Sequence, residues 1–341
     1  MALAVLGSAC GLSTARDIPP AEGTGGDLTS PEDVPCGKAL PLCEVDRCTD
    51  GACTFVEIAR VPGPAFKTRV DDTHIYVLGE YESTIYRTPK CGGTTSAVLR
   101  TVGAISSFAL SGSSLYWTTN TAPGGALYRS PKDGSGPTEQ IVFDGQEPIG
   151  FAFVSSDLTE AYATRSTSPG LLRLEQDGVH VVSEAPFEAT LFWDSEFFYV
   201  NDYERGTRRI DKIDGSEMQL IEPGPVVRAV DDRALYYTFY DPPAVANSRP
   251  AEGLFRLPTD GGAAEALVYL SSLLLAAADG RCAYLTLSHA TGSSQETTTR
   301  RLRLDGREDA VVFGNEQHHV TLDADAVYVT TASGSLYRRP K

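Results

Sequence analysis

Apolar and polar positions alternate in short runs along most of the chain, and one run recurs. An apolar-Tyr-apolar-Thr core, with some substitutions, appears seven times: Ile75-Tyr76-Val77-Leu78, Leu115-Tyr116-Trp117-Thr118, Ala161-Tyr162-Ala163-Thr164, Phe198-Tyr199-Val200-Asn201, Leu235-Tyr236-Tyr237-Thr238, Ala283-Tyr284-Leu285-Thr286 and Val327-Tyr328-Val329-Thr330. The Tyr-to-Tyr intervals are 40, 46, 37, 37, 48 and 44 residues. Runs of four to eight residues bounded by Gly, Asp and Ser are the pattern of strands, and a period near 40–45 residues is that of propeller blades.

Each copy has the same internal order. An apolar strand leads into an Asp- or Ser-rich turn, such as Val70-Asp71-Asp72 or Val230-Asp231-Asp232, and the Tyr strand follows. A variable connection leads to a third strand, such as Thr84–Thr88 or Ala126–Ser130, with Arg208–Ile213 as a divergent version. A Gly turn comes next: Cys91-Gly92-Gly93, Asp133-Gly134, Asp177-Gly178, Asp214-Gly215, Asp260-Gly261 or Asp305-Gly306. Asp-Gly between apolar runs is a strong hairpin signal. Fourth strands are expected at Ala97–Thr101, Gln140–Phe143, Val179–Val182, Met218–Ile221, Ala266–Tyr269 and Ala310–Phe313. The seventh copy ends at Lys341 after its third strand, and Phe55–Val61 resembles the missing fourth one. The sequence therefore predicts an all-β chain: one seven-bladed, four-stranded β-propeller over 54–341, closed when the N-terminal strand completes the last blade. Closure removes two sheet edges that would otherwise invite pairing with other chains. The longest apolar stretch, Leu267–Ala278, reads as one buried strand.

Ser114-Leu115-Tyr116-Trp117-Thr118-Thr119, followed by Leu127-Tyr128-Arg129-Ser130-Pro131-Lys132-Asp133-Gly134-Ser135, resembles the YWTD repeat of low-density-lipoprotein-receptor-type propellers. Only blade two comes close to that motif, and propellers of that type usually have six blades where seven are counted here. The chain also resembles bacterial surface lipoproteins that carry a Cys-rich segment before a degenerate propeller. In that repeat family the motif residues are structural, so the resemblance implies no catalytic residue.

Ahead of the propeller the pattern changes. Met1–Gly7 is a short apolar run followed by Ser8, Ala9 and Cys10, which resembles a lipoprotein cleavage site with Cys10 as the lipidated residue. Residues 11–35 are rich in Pro, Gly, Ser, Thr, Asp and Glu and read as a disordered linker. Cys36, Cys43, Cys48 and Cys53 form a disulfide segment over 36–53; three pairings are open, with Cys36–Cys43 and Cys48–Cys53 favoured because short loops close easily. Cys91 and Cys282 fall in non-adjacent repeats and are expected to stay unpaired. These features point to an exported, lipid-anchored monomer of the cell envelope or outer surface, with membrane contact only through the anchor.

Charge and motif content narrow the function. With 45 Asp and Glu against 29 Lys and Arg, the net charge is −16, and no basic stripe offers a path for nucleic-acid phosphates. No phosphate-cradling loop, nucleophile elbow or metalloprotease motif occurs, so no cofactor, metal or catalytic residue is assigned. His289, His318 and His319 lie towards one face, but their spacing matches no metal motif. Lys67, Arg69 and Arg228 fall on inner strands; they would either line a positive channel or pair with acids between blades. The connections between second and third strands vary most: Gly79–Ser83 is short, whereas Phe239–Gly253 and Leu287–Thr299 read as long loops. Insertions concentrated on one face mark a recognition surface. Its candidate contacts are Arg165, Asp202, Tyr203, Arg205, Tyr240, Asp241, Asn247 and Arg249. The leading expectation is a non-catalytic binding or scaffold propeller for a protein or glycan. The alternatives are a lyase or hydrolase at the channel mouth, drawing on Glu147, Glu188, His318 and His319, and a passive module of an envelope assembly.

Overall fold

The computed structural model describes residues 47–49, 52–79, 81–119, 126–141, 149–154, 161–165, 171–174, 179–183, 190–194, 196–202, 206–231, 233–239, 253–268, 273–278, 282–291, 294–303, 308–314 and 318–341. It consists of seven four-stranded antiparallel sheets and one two-stranded hairpin, Arg47–Thr49 with Ala52–Thr54. Blade one shows the plan. Lys67–Val70, His74–Gly79, Thr84–Pro89 and Ser96–Arg100 lie side by side in chain order, with the first strand innermost. The innermost strands of blades four to seven, one, two and three touch in succession around the axis, those of blades seven and one among them.

The Tyr that marks each copy is buried in all seven blades. Directly across the second-to-third-strand ladder from it stands an Arg every time: Tyr76↔Arg87, Tyr116↔Arg129, Tyr162↔Arg173, Tyr199↔Arg209, Tyr236↔Arg256, Tyr284↔Arg301 and Tyr328↔Arg338. Five residues before the Tyr stands an Asp in six blades and Ser111 in blade two. In the four blades where this turn is described, the Asp organises it. Asp71 Oδ1 accepts the amides of Thr73 and His74, both at 2.8 Å, while Tyr76 donates its hydroxyl to Oδ2 at 3.2 Å. Asp194 with Tyr199, Asp231 with Tyr236 and Asp323 with Tyr328 repeat the arrangement.

The ring closes as expected. Val56–Arg60 pairs with Ser335–Pro340 as the outer strand of blade seven, Val56 opposite Arg338 and Arg60 opposite Ser335. Ile58 is buried with Val61, Ile75, Val77, Tyr328 and Leu336, so one apolar cluster spans the join of blades seven and one. Gly92 packs here for two reasons. Its φ of +88° suits glycine, and an added Cβ would lie 3.0 Å from the Ile58 carbonyl. Gly134 meets the outer strand of blade one in the same way, at Val98.

Four expectations are corrected. Leu267–Ala278 is not one strand: Glu265–Val268 ends blade five and Leu273–Ala278 begins blade six. Both are apolar because a blade is covered on each face, so the apolar run hides the boundary. The third strand of blade four is Gly206–Asp211, starting two residues early. Gly206 opens it at φ +78°, where a Cβ would collide with the Ile221 carbonyl. The presumed loop Leu287–Thr299 is instead a β-ribbon: Cys282–Thr291 pairs with Ser294–Arg303 out to Thr291↔Ser294. Its many Thr residues suit strands, and only Gly292 and Ser293 stand between its arms. Finally, Cys91 is disulfide-bonded, as is Cys53, whereas Cys282 forms no disulfide. Counting cysteines by blade missed this because Cys91 sits in the turn packed on the closing strand.

Candidate functional site

The blade plan defines two faces. The Asp turns and the Gly turns lie on one, the turn face. The second-to-third-strand connections and the blade-to-blade crossings lie on the other, the loop face. The seven innermost strands run between them: Lys67–Val70, Ile105–Ser111, Ile149–Val154, Thr190–Trp193, Pro225–Val230, Leu273–Ala278 and His318–Leu322. Together they carry Lys67, Arg69, Arg228, His318 and His319 and no Asp or Glu. In a chain of net charge −16, the axis has the opposite sign.

Lys67 and Arg69 share one side of the blade-one strand and lean towards blade two. The Lys67 ammonium donates to the Ser106 carbonyl. Arg69 donates to the Thr68 carbonyl at 2.9 Å and lies over the Phe108 ring, 5.8 Å from its centroid. Thr68 points the other way and bonds Thr330 of blade seven at 2.8 Å. Ser106 is the extra residue of a bulge between Ile105 and Ser107. Its Oγ is buried and has no hydrogen-bond partner. Arg228 also occupies a bulge, between Val227 and Ala229, and donates to Thr238 Oγ1 at 3.0 Å. Among the described residues, no carboxylate forms an ion pair with any of these three cations. Burial lowers the pKa of Lys67, Arg69 and Arg228; for Lys67 the Arg69 charge adds to this and Glu82 partly opposes it.

The turn face is different. A cleft of about 620 Å³ lies there between blades one and two, bordered by His74, Arg87, Ser130 and Lys132 among others. Its charges are largely matched within the protein. Lys132 reaches the Asp71 carboxylate at 2.6 Å, and Arg129 reaches Glu139 at 2.7 Å. Burial by itself would raise the Asp71 carboxyl, but Lys132 and the Thr73 and His74 amides outweigh it and hold the pKa at about 2. Lys90 bridges from blade one to Asp323 of blade seven at 2.7 Å, and that carboxyl is likewise held below its ordinary value. Burial, followed by the Asp71 charge, pushes the Tyr76 phenol above its ordinary range, so it remains a donor.

Of the contacts expected from sequence, Arg165 and Asp202 end second strands at the loop face, opposite Ile149 and Gly206. Tyr203, Arg205, Tyr240, Asp241, Asn247 and Arg249 lie outside the described residues, as do Glu147, Glu188, Cys10, Cys36 and Cys43. Cys48 stands directly opposite Cys53 in the N-terminal hairpin. His318 and His319 begin the inner strand of blade seven, and His289 lies opposite Glu296 in the blade-six ribbon. Among the described residues, no group of three His, Cys, Asp or Glu is placed to hold a metal. Ser106 went unnoticed because a bulge is a property of register, which the local sequence does not display.

No protein-family model matches the chain, and no curated protein matches it. Solved structures do. The WD40 domain of Pan2 from Neurospora crassa aligns with 84% of this chain and 95% of its own, at 10% identity and a TM-score of 0.59. Virginiamycin B lyase from Staphylococcus aureus aligns with 84% of this chain and 98% of its own, at 12% identity and a TM-score of 0.57. The tricorn protease also aligns with 84% of this chain, at 12% identity and a TM-score of 0.58, but the chain spans only 34% of that protein. At these identities the likeness is one of fold, shared by a WD40 domain, a lyase and a protease.

Proposed function

We propose that the protein is a cell-envelope binding propeller that recognises a protein or glycan through its loop face. The observation that carries this is the blade-six ribbon. In blade one the second strand ends three residues after its Tyr, at Gly79; in blade six it continues to Thr291. The four additional residues lengthen the strand by about 13 Å at ordinary strand rise, on the face where connection lengths vary most. A ribbon that carries a blade beyond its neighbours offers backbone edges for contact.

The path of the chain supports the same orientation. Val56–Arg60 enters its blade from the turn-face end and leaves at the loop face, where the Val61 amide bonds the Gly334 carbonyl at 2.9 Å. The N-terminal segment thus joins the ring on the side away from the ribbon. An anchor at Cys10 would leave the loop face directed outward.

The test is a capture experiment with the full chain, using envelope extract and a glycan array. A variant in which residues 288–297 are replaced by a two-residue turn serves as the comparison. The expected result is a ligand retained by the native chain and lost by the shortened variant at unchanged melting temperature. Equal capture by both would exclude the ribbon face.

A further inference from the structure

We propose that the propeller axis is an oxyanion site, entered from the loop face, in which Lys67, Arg69 and the Ser106 hydroxyl receive a carboxylate group of a ligand. This deepens the proposed function and rests on the loop face being the recognition surface.

Three observations carry it. The first is composition by place. Acids outnumber bases 45 to 29 in the chain, yet the seven innermost strands hold no Asp or Glu. Solubility alone would not exclude acids from one ring of strands. A cationic lane with low-dielectric walls focuses the field on an incoming anion.

The second is the missing counter-charge. Partly buried cations are normally paired, because desolvation is costly unless a carboxylate or full hydrogen bonding offsets it. The Arg69 charge disfavours that of Lys67, and neither has an ion-pair partner among the described residues. On the outer strands and turns, Lys90, Lys132, Arg129, Arg208 and Arg256 each meet a carboxylate, whereas Arg209 rests on the Thr259 carbonyl and the Phe197 ring.

The third is spare donor capacity in one place. Lys67 spends a bond on the Ser106 carbonyl and Arg69 spends one on the Thr68 carbonyl. An ammonium has three N–H donors and a guanidinium five, so most remain available. Neither side chain carries a nitrogen that is both buried and without any partner. Ser106, whose carbonyl Lys67 bonds, has a buried and unpartnered Oγ. Ammonium, guanidinium fork and hydroxyl form a donor set suited to a carboxylate. Lys67 opens the inner strand at its loop-face end, which places the site near that mouth.

Citrate is the probe, titrated calorimetrically into the full chain at low ionic strength, with sulfate and glucose as comparison solutes. Citrate should bind, sulfate more weakly and glucose not at all, and added NaCl should weaken the citrate isotherm. In Lys67→Gln/Arg69→Gln, citrate affinity should fall at least tenfold while the melting temperature holds or rises, because two unpaired like charges have been removed. The variant lacking ribbon residues 288–297 should bind citrate as the native chain does. That arm separates the two readings: loss of partner capture with retained citrate binding supports both. The proposal is overturned if citrate fails to bind the native chain or if the double variant binds it equally. It is also overturned if the double variant melts several degrees lower, which would make the cations structural. Sulfate binding as tightly as citrate would replace the carboxylate assignment with a general anion lane.

Discussion

The turn face and the axis treat charge in opposite ways. On the turn face, Lys132 crosses from blade two to Asp71 of blade one, and Lys90 crosses from blade one to Asp323 of blade seven. Each carboxylate also holds two backbone amides and a tyrosine hydroxyl. At the axis, Lys67, Arg69 and Arg228 lean on carbonyls, a threonine hydroxyl and an aromatic ring. Charges that hold a fold together are matched inside it, whereas charges left unmatched at a cost are available to something outside it. Equal burial therefore does not imply equal purpose.

The comparison can be strained from either side. The largest effect is expected from Asp71→Ala, which leaves two amides, a phenol and Lys132 without their acceptor. A loss on the order of 3 kcal/mol is expected in urea unfolding; a loss below about 0.5 kcal/mol would show that the Asp turn is decorative. Acid should produce a smaller version. The Asp71 carboxyl is held at about 2 in the folded chain against 3.8 ordinarily, so its contribution is complete above about pH 4 and disappears as the pH falls towards 2. That contribution is on the order of 2 kcal/mol, and Asp71→Asn should flatten the stability profile across this window. A profile as steep in Asp71→Asn as in the native chain would assign acid lability to other groups. The smallest change belongs to the axis. Arg228→Gln should leave the melting temperature within about a degree or raise it, since no carboxylate loses a partner. A clear fall would bring Arg228 over to the structural class.

Much of the ring was legible in the chain. Seven Tyr-centred copies, the Asp-Gly turns and the resemblance of Phe55–Val61 to an outer strand all mark places where backbone chemistry repeats. The Asp five residues before the Tyr and the Arg across from it were equally present, but their meaning needs register. The sequence shows that Arg87 follows Tyr86; only the ladder shows that it faces Tyr76. Blade boundaries failed where both sides were apolar, as at Leu267–Ala278. The ribbon failed because its polar, Thr-rich arms resemble a loop when composition is weighed without pairing. The axial site was half visible. Lys67, Arg69 and Arg228 could be placed on inner strands, but their lack of partners is a fact about three dimensions. Ser106 is the extra residue of a bulge, which only the register shows.

The join in blade seven has a further consequence. Arg338 faces Val56, and the Lys341 amide bonds the Asp325 carbonyl just as the Lys90 amide bonds that of Thr73. The two strands thus meet as a hairpin whose turn has been severed. A circular permutant that bridged Lys341 to Phe55 and opened another Gly turn would keep every ladder in the ring. Which blade comes first is then an accident of where the circle was cut. What the cut does decide is the compass bearing of the N-terminal segment around the rim, which a family of permutants could move blade by blade.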